Sequence, residues 1–202
     1  MAMGPEVPST PVSLNAQAVA DAARRLNNSG SDQDELVIYE KVSIRDGKYA
    51  NNPWLQELPD PVTRVTWDNY LTVPFQYAKD NGLKQEDVVN VKVGDMEARA
   101  AVVVQPGQAM GTFGLALGYA REGAGKVAKQ VKGSVDAYPF LEMDQGNMRY
   151  HRTGVEVSKT GDTYSIASVQ TFHTLFDPVK FDPNSEEGSV NNYFDRTEEI
   201  IS

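Results

Sequence analysis

Residues Leu83 to Tyr119, LKQEDVVNVKVGDMEARAAVVVQPGQAMGTFGLALGY, decide the fold. Val89, Val91 and Val93 alternate with polar residues, Gly94-Asp95 reverses the chain, and Ala98 to Val104 returns it. Gly and Asp suit that reversal because one tolerates positive φ and the other bonds its own backbone. Pro106-Gly107 makes a second turn, and Thr112 to Leu117 supplies a third strand. The run Ala100 to Val104 is continuously apolar, the pattern of a strand buried on both faces. Such a strand fits inside a small closed or nearly closed barrel better than on an open sheet.

Outward from this stretch, the chain of 202 residues is 40% hydrophobic, enough for one packed domain with an appendage. Its formal charge of −9 argues against a nucleic-acid partner, which would require a basic face to neutralise phosphates. With no cysteine, the chain cannot supply a disulfide, a thiolate-held cluster or a cysteine nucleophile. No apolar run reaches bilayer length, so direct membrane insertion is not expected. The MAMG start has the look of a cloning remnant.

Residues 1–35 read as a flexible segment with one short helix. Ser13 is its expected N-cap, Leu14, Ala18, Ala22 and Leu26 its stripe, and Asn27-Asn28 its end. The barrel domain is expected over 36–176. Leu36 to Val42 is its first strand, and Asn51 to Asp60 an irregular connection with Trp54, Leu55 and Leu58 packed inward. Val62 to Val73 reads as a strand carrying Trp67, and Pro74 to Asn81 as a short helix closed by Gly82. Arg121 to Val131 has helical character weakened by Gly123 and Gly125. Val155 to Val157 and Tyr164 to Val169 read as a hairpin across Lys159-Thr160-Gly161-Asp162. Residues 177–202 form an acidic tail with two Asp-Pro pairs and Glu186-Glu187-Gly188.

Chemistry is sparse. Gly118 to Lys126 resembles a phosphate loop, but a Walker pattern needs Gly where Ala120 stands and Ser or Thr where Val127 stands. His151 and His173 have no metal-ligand spacing, and no nucleophile-elbow pattern accompanies the serines. Trp67-Asp68-Asn69 sets a bulky anchor beside two hydrogen-bonding side chains, but reads more readily as a core Trp followed by a turn-forming Asp-Asn pair.

The blocks NNPWLQELPDP (Asn51 to Pro61), TWDNY (Thr66 to Tyr70) and QPGQA…ALGYAREGAG (Gln105 to Ala109, Ala116 to Gly125) carry a family resemblance. Over residues 36–176 the chain resembles the C-terminal, pterin-dinucleotide-binding domain of the molybdopterin oxidoreductase superfamily. It is similar above all to the molybdopterin-like iron–sulfur subunit of bacterial alternative complex III, a quinol:cytochrome c oxidoreductase. Ala137 to Phe140 and Val169 to Thr174 extend the likeness.

The resemblance implies a mainly β fold with short helices, a double-psi β-barrel. It implies a place on the periplasmic side of a bacterial inner membrane, among other domains of a parent subunit and other subunits of a membrane-bound electron-transfer complex. Catalytic relatives hold the pterin dinucleotide with a loop often bearing His and Thr. The matching stretch, Ser43 to Asn51, has neither. The expectation is therefore a non-catalytic structural and docking domain without a cofactor, excised from a longer, iron–sulfur-bearing protein. The alternatives are a domain binding molybdopterin guanine dinucleotide through Trp67, Asp68, Asn69 and Gln105, and a stand-alone barrel with another binding task. The excised surface is expected to expose apolar residues around Val73 to Tyr77 and Tyr138 to Leu141.

Overall fold

The computed structural model describes residues 14–28, 33–131, 133–144 and 146–169. Contacts divide the chain into Met1–Asp32 and Gln33–Ser202. In the first unit, α1 spans Ala16–Asn28, and its cap is Asn15 rather than Ser13, which lies outside the described residues. The Asn15 Oδ1 accepts from Ala18 N at 3.0 Å, satisfying one of the open donors of the first turn.

The second unit is mainly β. Its strands are β1 (Glu35–Tyr39), β2 (Leu71–Pro74), β3 (Asp87–Val93), β4 (Met96–Gln105), β5 (Thr112–Ala116), β6 (Glu142–Asp144), β7 (Asn147–Arg149), β8 (His151–Thr153) and β9 (Val155–Thr163). Its short helices are α2 (Pro53–Glu57) and α3 (Phe75–Asp80). Seven strands form one curled, mixed half-barrel sheet in the order β8-β1-β5-β2-β4-β3-β9. β1 runs parallel to β5 and β2 parallel to β4, while β2 and β5 between them are antiparallel.

The long β4 is the spine expected from the sequence. Its first half pairs with β3, from Met96↔Val93 to Ala101↔Val88, and its second half with β2, from Val102↔Leu71 to Gln105↔Pro74. Ala100 and Val102 pack into the main core with Val73, Val89, Phe113 and Leu115. Ala101 and Val103, on the other face, pack with Val65, Tyr70 and Ile166. The apolar run is therefore buried on both faces because each face has its own cluster.

Five expectations change. The barrel is not closed by a ladder among the described residues: β8 and β9 are the two edges, joined by Gly154, whose N–H bonds Asp34 O at 2.9 Å. The edges meet at that corner without pairing. The strand expected over 62–73 exists only as β2. Asp60 Oδ1 accepts from Val62 N and Thr63 N, making a side-chain turn, and Arg64 and Trp67 adopt positive φ, so 62–70 is irregular.

Third, Lys159 to Asp162 is no turn. β9 runs through it, and the register against β3 slips between Lys159↔Val89 and Thr163↔Asp87, a bulge rather than a reversal. Tyr164 to Val169 instead crosses the outer face of β4, tied by Tyr164 N to Glu86 O at 2.9 Å. Fourth, Arg121 to Val131 forms two single 3₁₀ turns, Glu122–Ala124 and Ala128–Gln130, because Gly125 interrupts them. Fifth, Trp54 points outward and is 81% exposed, and Leu58 is also exposed, whereas Leu55 packs beside Ile44, Ala116 and Tyr119. Of the surface expected to be apolar, Phe75 and Tyr138 are exposed, but Val73 and Phe140 are buried.

Candidate functional site

The Pro59-Asp60-Pro61 corner and the turn of residues 66–70 enclose a buried polar cluster that nothing in the sequence marks. Lys41 follows β1 and is 5% exposed. Its Nζ donates to Asp68 O at 3.0 Å and lies 4.1 Å from the centre of the Tyr70 ring and 5.2 Å from that of Tyr119. Those rings offer their negative faces to the ammonium. Burial nonetheless lowers its pKa to about 8, opposed by the charges of Asp60 and Asp68. Burial also raises the hydroxyl pKa values of Tyr39, Tyr70 and Tyr119, and the Asp60 charge raises each further. Tyr70 OH is hydrogen-bonded to Thr63 Oγ1.

The four residues singled out from the sequence do not form one site. Trp67 is half-buried at positive φ, and its N–H bonds Gln56 O at 2.8 Å. Asp68 is buried; its carboxylate accepts from Tyr164 OH at 3.1 Å and Ser134 Oγ at 3.4 Å, and desolvation raises its pKa against those two bonds and Lys41. Asn69 is fully buried. Its Nδ2 donates to Ala116 O and Val135 O, both at 2.8 Å, and its Oδ1 accepts from Val135 N at 2.7 Å. Every hydrogen-bonding direction of that carboxamide but one is taken. Trp67, Asp68 and Asn69 are thus internal struts.

Gln105 differs. At the end of β4 it lines two neighbouring cavities, of about 510 and about 390 Å³. The smaller also meets Thr72 and Gln108. Gln108 Nε2 donates to Thr112 O at 2.6 Å and Thr72 O at 3.2 Å, leaving its buried Oε1 without a partner. Lys41 is the one basic residue of this wall, beside the acidic Glu40 and Asp60, and its ammonium is turned to Asp68 O. Tyr70, Tyr119 and Asp68, which surround that ammonium, line neither cavity. The wall therefore offers amide and hydroxyl groups, not a cation aimed at an anionic ligand.

Among the described residues no group of three His, Asp or Glu side chains could hold a metal ion. His151 is exposed on β8, and His173 lies outside the described residues. No family model matches the chain, and no curated protein sequence matches it.

The Lys41 cluster makes stability depend on pH in alkali. Between about pH 8 and 10.5 the unfolded chain keeps the Lys41 proton that the folded chain has lost, so stability rises with pH. Above about pH 10 the sign reverses, because the folded chain retains protons on Tyr39, Tyr70 and Tyr119 that the unfolded chain releases. Urea titrations should show maximum stability between pH 8 and 10, with a rise of at most about 3 kcal/mol. Lys41→Met, which keeps the stem over the rings, should abolish the rise while leaving neutral-pH stability little changed. An unchanged rise in Lys41→Met would assign it to other groups.

Proposed function

We propose that this chain is a non-catalytic structural and docking domain of a membrane-associated respiratory electron-transfer subunit, a molybdopterin-oxidoreductase-like, double-psi barrel that has lost its cofactor. The strand order supports the fold. Two parallel pairs, β1 with β5 and β2 with β4, flank one antiparallel pair, β5 with β2, so two parallel crossovers interlock.

The observation that carries the docking role is Trp54. It stands 81% exposed on α2, and Leu58 follows it by one helical turn. Leu58 and the exposed Val42 border a depression of about 180 Å³ with Pro59 and Pro61. A chain that buries Tyr70, Phe113 and Phe140 yet leaves a Trp in water is well suited to place that Trp in a partner. Its partners are the other domains of the parent subunit and neighbouring subunits, on the periplasmic side of the inner membrane.

The cofactor-free reading rests on the wall of the 390 Å³ cavity. A dinucleotide brings two phosphates, which need convergent donors. Glu40 and Asp60 stand there instead, with Lys41 turned away, so the residues present do not fit a diphosphate. Gln105 and Gln108 favour one alternative, a neutral base-sized ligand such as the guanine end of molybdopterin guanine dinucleotide.

Affinity purification of the tagged chain from solubilised membranes should bring down a haem protein and an iron–sulfur polypeptide, recognised by their absorbance. Trp54→Ser should reduce that yield at least tenfold, the effect of losing a central aromatic anchor worth about 2 kcal/mol. Stoichiometric molybdenum, or micromolar binding of GMP by calorimetry, would favour the cofactor-binding alternative.

A further inference from the structure

α3 runs out into the only Asn-Gly pair of the chain, Asn81-Gly82. We infer that this pair is a site of self-modification: Gly82 N attacks Asn81 Cγ, and the succinimide so formed opens to an isoaspartate that loosens the entry to β3. The site stands apart from the docking role, which concerns the Trp54 face.

The step needs only water and mild alkali. The Gly82 amide nitrogen gives up its proton and bonds to Cγ, the Cγ–Nδ2 bond breaks, and Nδ2 leaves as ammonia. Water then opens the ring at either carbonyl. Opening at Cγ leaves an ordinary aspartate, and opening at the main-chain carbonyl leaves a backbone that runs through Cβ and Cγ. Either product has exchanged a neutral carboxamide for a carboxylate.

The local geometry favours this pair. Both residues are exposed. Gly82 has φ +61° and open space where a side chain would stand, so nothing shields its nitrogen. Its N–H donates to Lys79 O at 3.4 Å, near the limit of a hydrogen bond. The Asn81 carboxamide is tied back by one exposed bond, Nδ2 to Tyr77 O at 2.9 Å, and an exposed helix end opens at little cost. Asp46-Gly47, which could close the same ring by losing water, is clamped instead. Gly47 N donates to Ile44 O at 3.0 Å, Asp46 Oδ1 accepts from Lys48 N at 3.0 Å, and Gly47 lies against the backbone of Gly118.

The product matters because two ties leave from this corner. Leu83 N donates to Ala78 O at 2.8 Å, closing the helix end and seating Leu83 in the main core. Gly82 O accepts from Lys159 Nζ at 3.3 Å, and the same ammonium holds Asp87, the first residue of β3, at 2.7 Å. An isoaspartate adds a methylene to the main chain between the helix and these bonds, so they cannot all be kept.

The full chain, incubated in mild alkali and mapped by proteolysis and mass spectrometry, should convert Asn81 at least about tenfold faster than any other asparagine. Gly82→Ala, which sets a methyl group beside the nucleophile, should slow that conversion at least about tenfold. The aged parent chain should melt about 5 °C below the fresh one, whereas fresh Asn81→Asp, with the charge but not the methylene, should stay within about 2 °C of it. Asn81 intact after other asparagines have converted, or Gly82→Ala converting at the parent rate, would overturn the site. An aged chain that melts with Asn81→Asp would overturn the loosening.

Discussion

Asn69→Ala should lower the unfolding free energy by about 3–5 kcal/mol, a large part of the stability of an ordinary domain. The side chain is fully buried and joins three separate segments: its own turn before β2, the end of β5 through Ala116 O, and the 135 region through both the N–H and C=O of Val135. Truncation leaves those three backbone groups without partners. Each such loss in a dry interior is worth about 1–3 kcal/mol, and together they exceed any packing term for so small a side chain.

Asn69→Asp offers a sharper signature. A carboxylate can accept from Val135 N but cannot donate to Ala116 O or Val135 O, and it adds a buried charge. The variant should be weaker than Asn69→Ala at neutral pH and should regain stability as acid protonates the new carboxyl. Urea midpoints at pH 7 and pH 5 measure both effects. A loss below about 1 kcal/mol in Asn69→Ala would mean that water takes over the three bonds.

The residue matters for how far this fold was legible. The alternation Val89, Val91, Val93, the Gly94-Asp95 reversal and the apolar Ala100 to Val104 run correspond to β3 and β4, since those signals are local. The stretch 62–70 has the β-branched composition of a strand, but its conformation is set by the Asp60 side-chain turn and by positive φ at Arg64 and Trp67, which non-glycine letters do not announce. Lys159-Thr160-Gly161-Asp162 has the same letters whether it turns or bulges, and pairing with β3 decides. Trp54 sits in an apolar block but faces water because α2, capped by Asn52, turns Leu55 and Gln56 inward instead.

The candidate site shows the same limit. Lys41 and Lys48 are identical letters in one short stretch, yet Lys48 is exposed and Lys41 buried. What separates them are partners 27 and 78 positions away, Asp68 and Tyr119. In the other direction, Asp68 and Asn69 stood out as hydrogen-bonding side chains next to a Trp, and the polarity was real. Its use is internal: each faces backbone or hydroxyl groups of this chain.

Gly118→Ala should lower the unfolding free energy by about 4 kcal/mol or more. Two terms combine. Gly118 has φ +91°, a conformation that strains any residue bearing a Cβ by about 1–2 kcal/mol. A Cβ there would also lie 2.8 Å from both Arg45 O and Gly47 Cα, and closer still to Gly47 N. These are backbone atoms that cannot rotate aside, and Gly47, itself at φ +97°, faces Gly118 back to back. The 45–48 turn is held against this region by Arg121 Nη1, which donates to Asp46 O at 3.4 Å, and by Tyr138 OH on the same oxygen. An added methyl therefore forces apart two turns that the chain otherwise ties together, beside the Ile44, Ala116 and Tyr119 cluster. Gly82→Ala isolates the first term, because Gly82 has φ +61° but open space where its Cβ would stand. It should lose about 1 kcal/mol. Urea denaturation of the two variants side by side measures the difference, and equal losses would show that the approach of Gly47 to Gly118 contributes nothing beyond backbone strain.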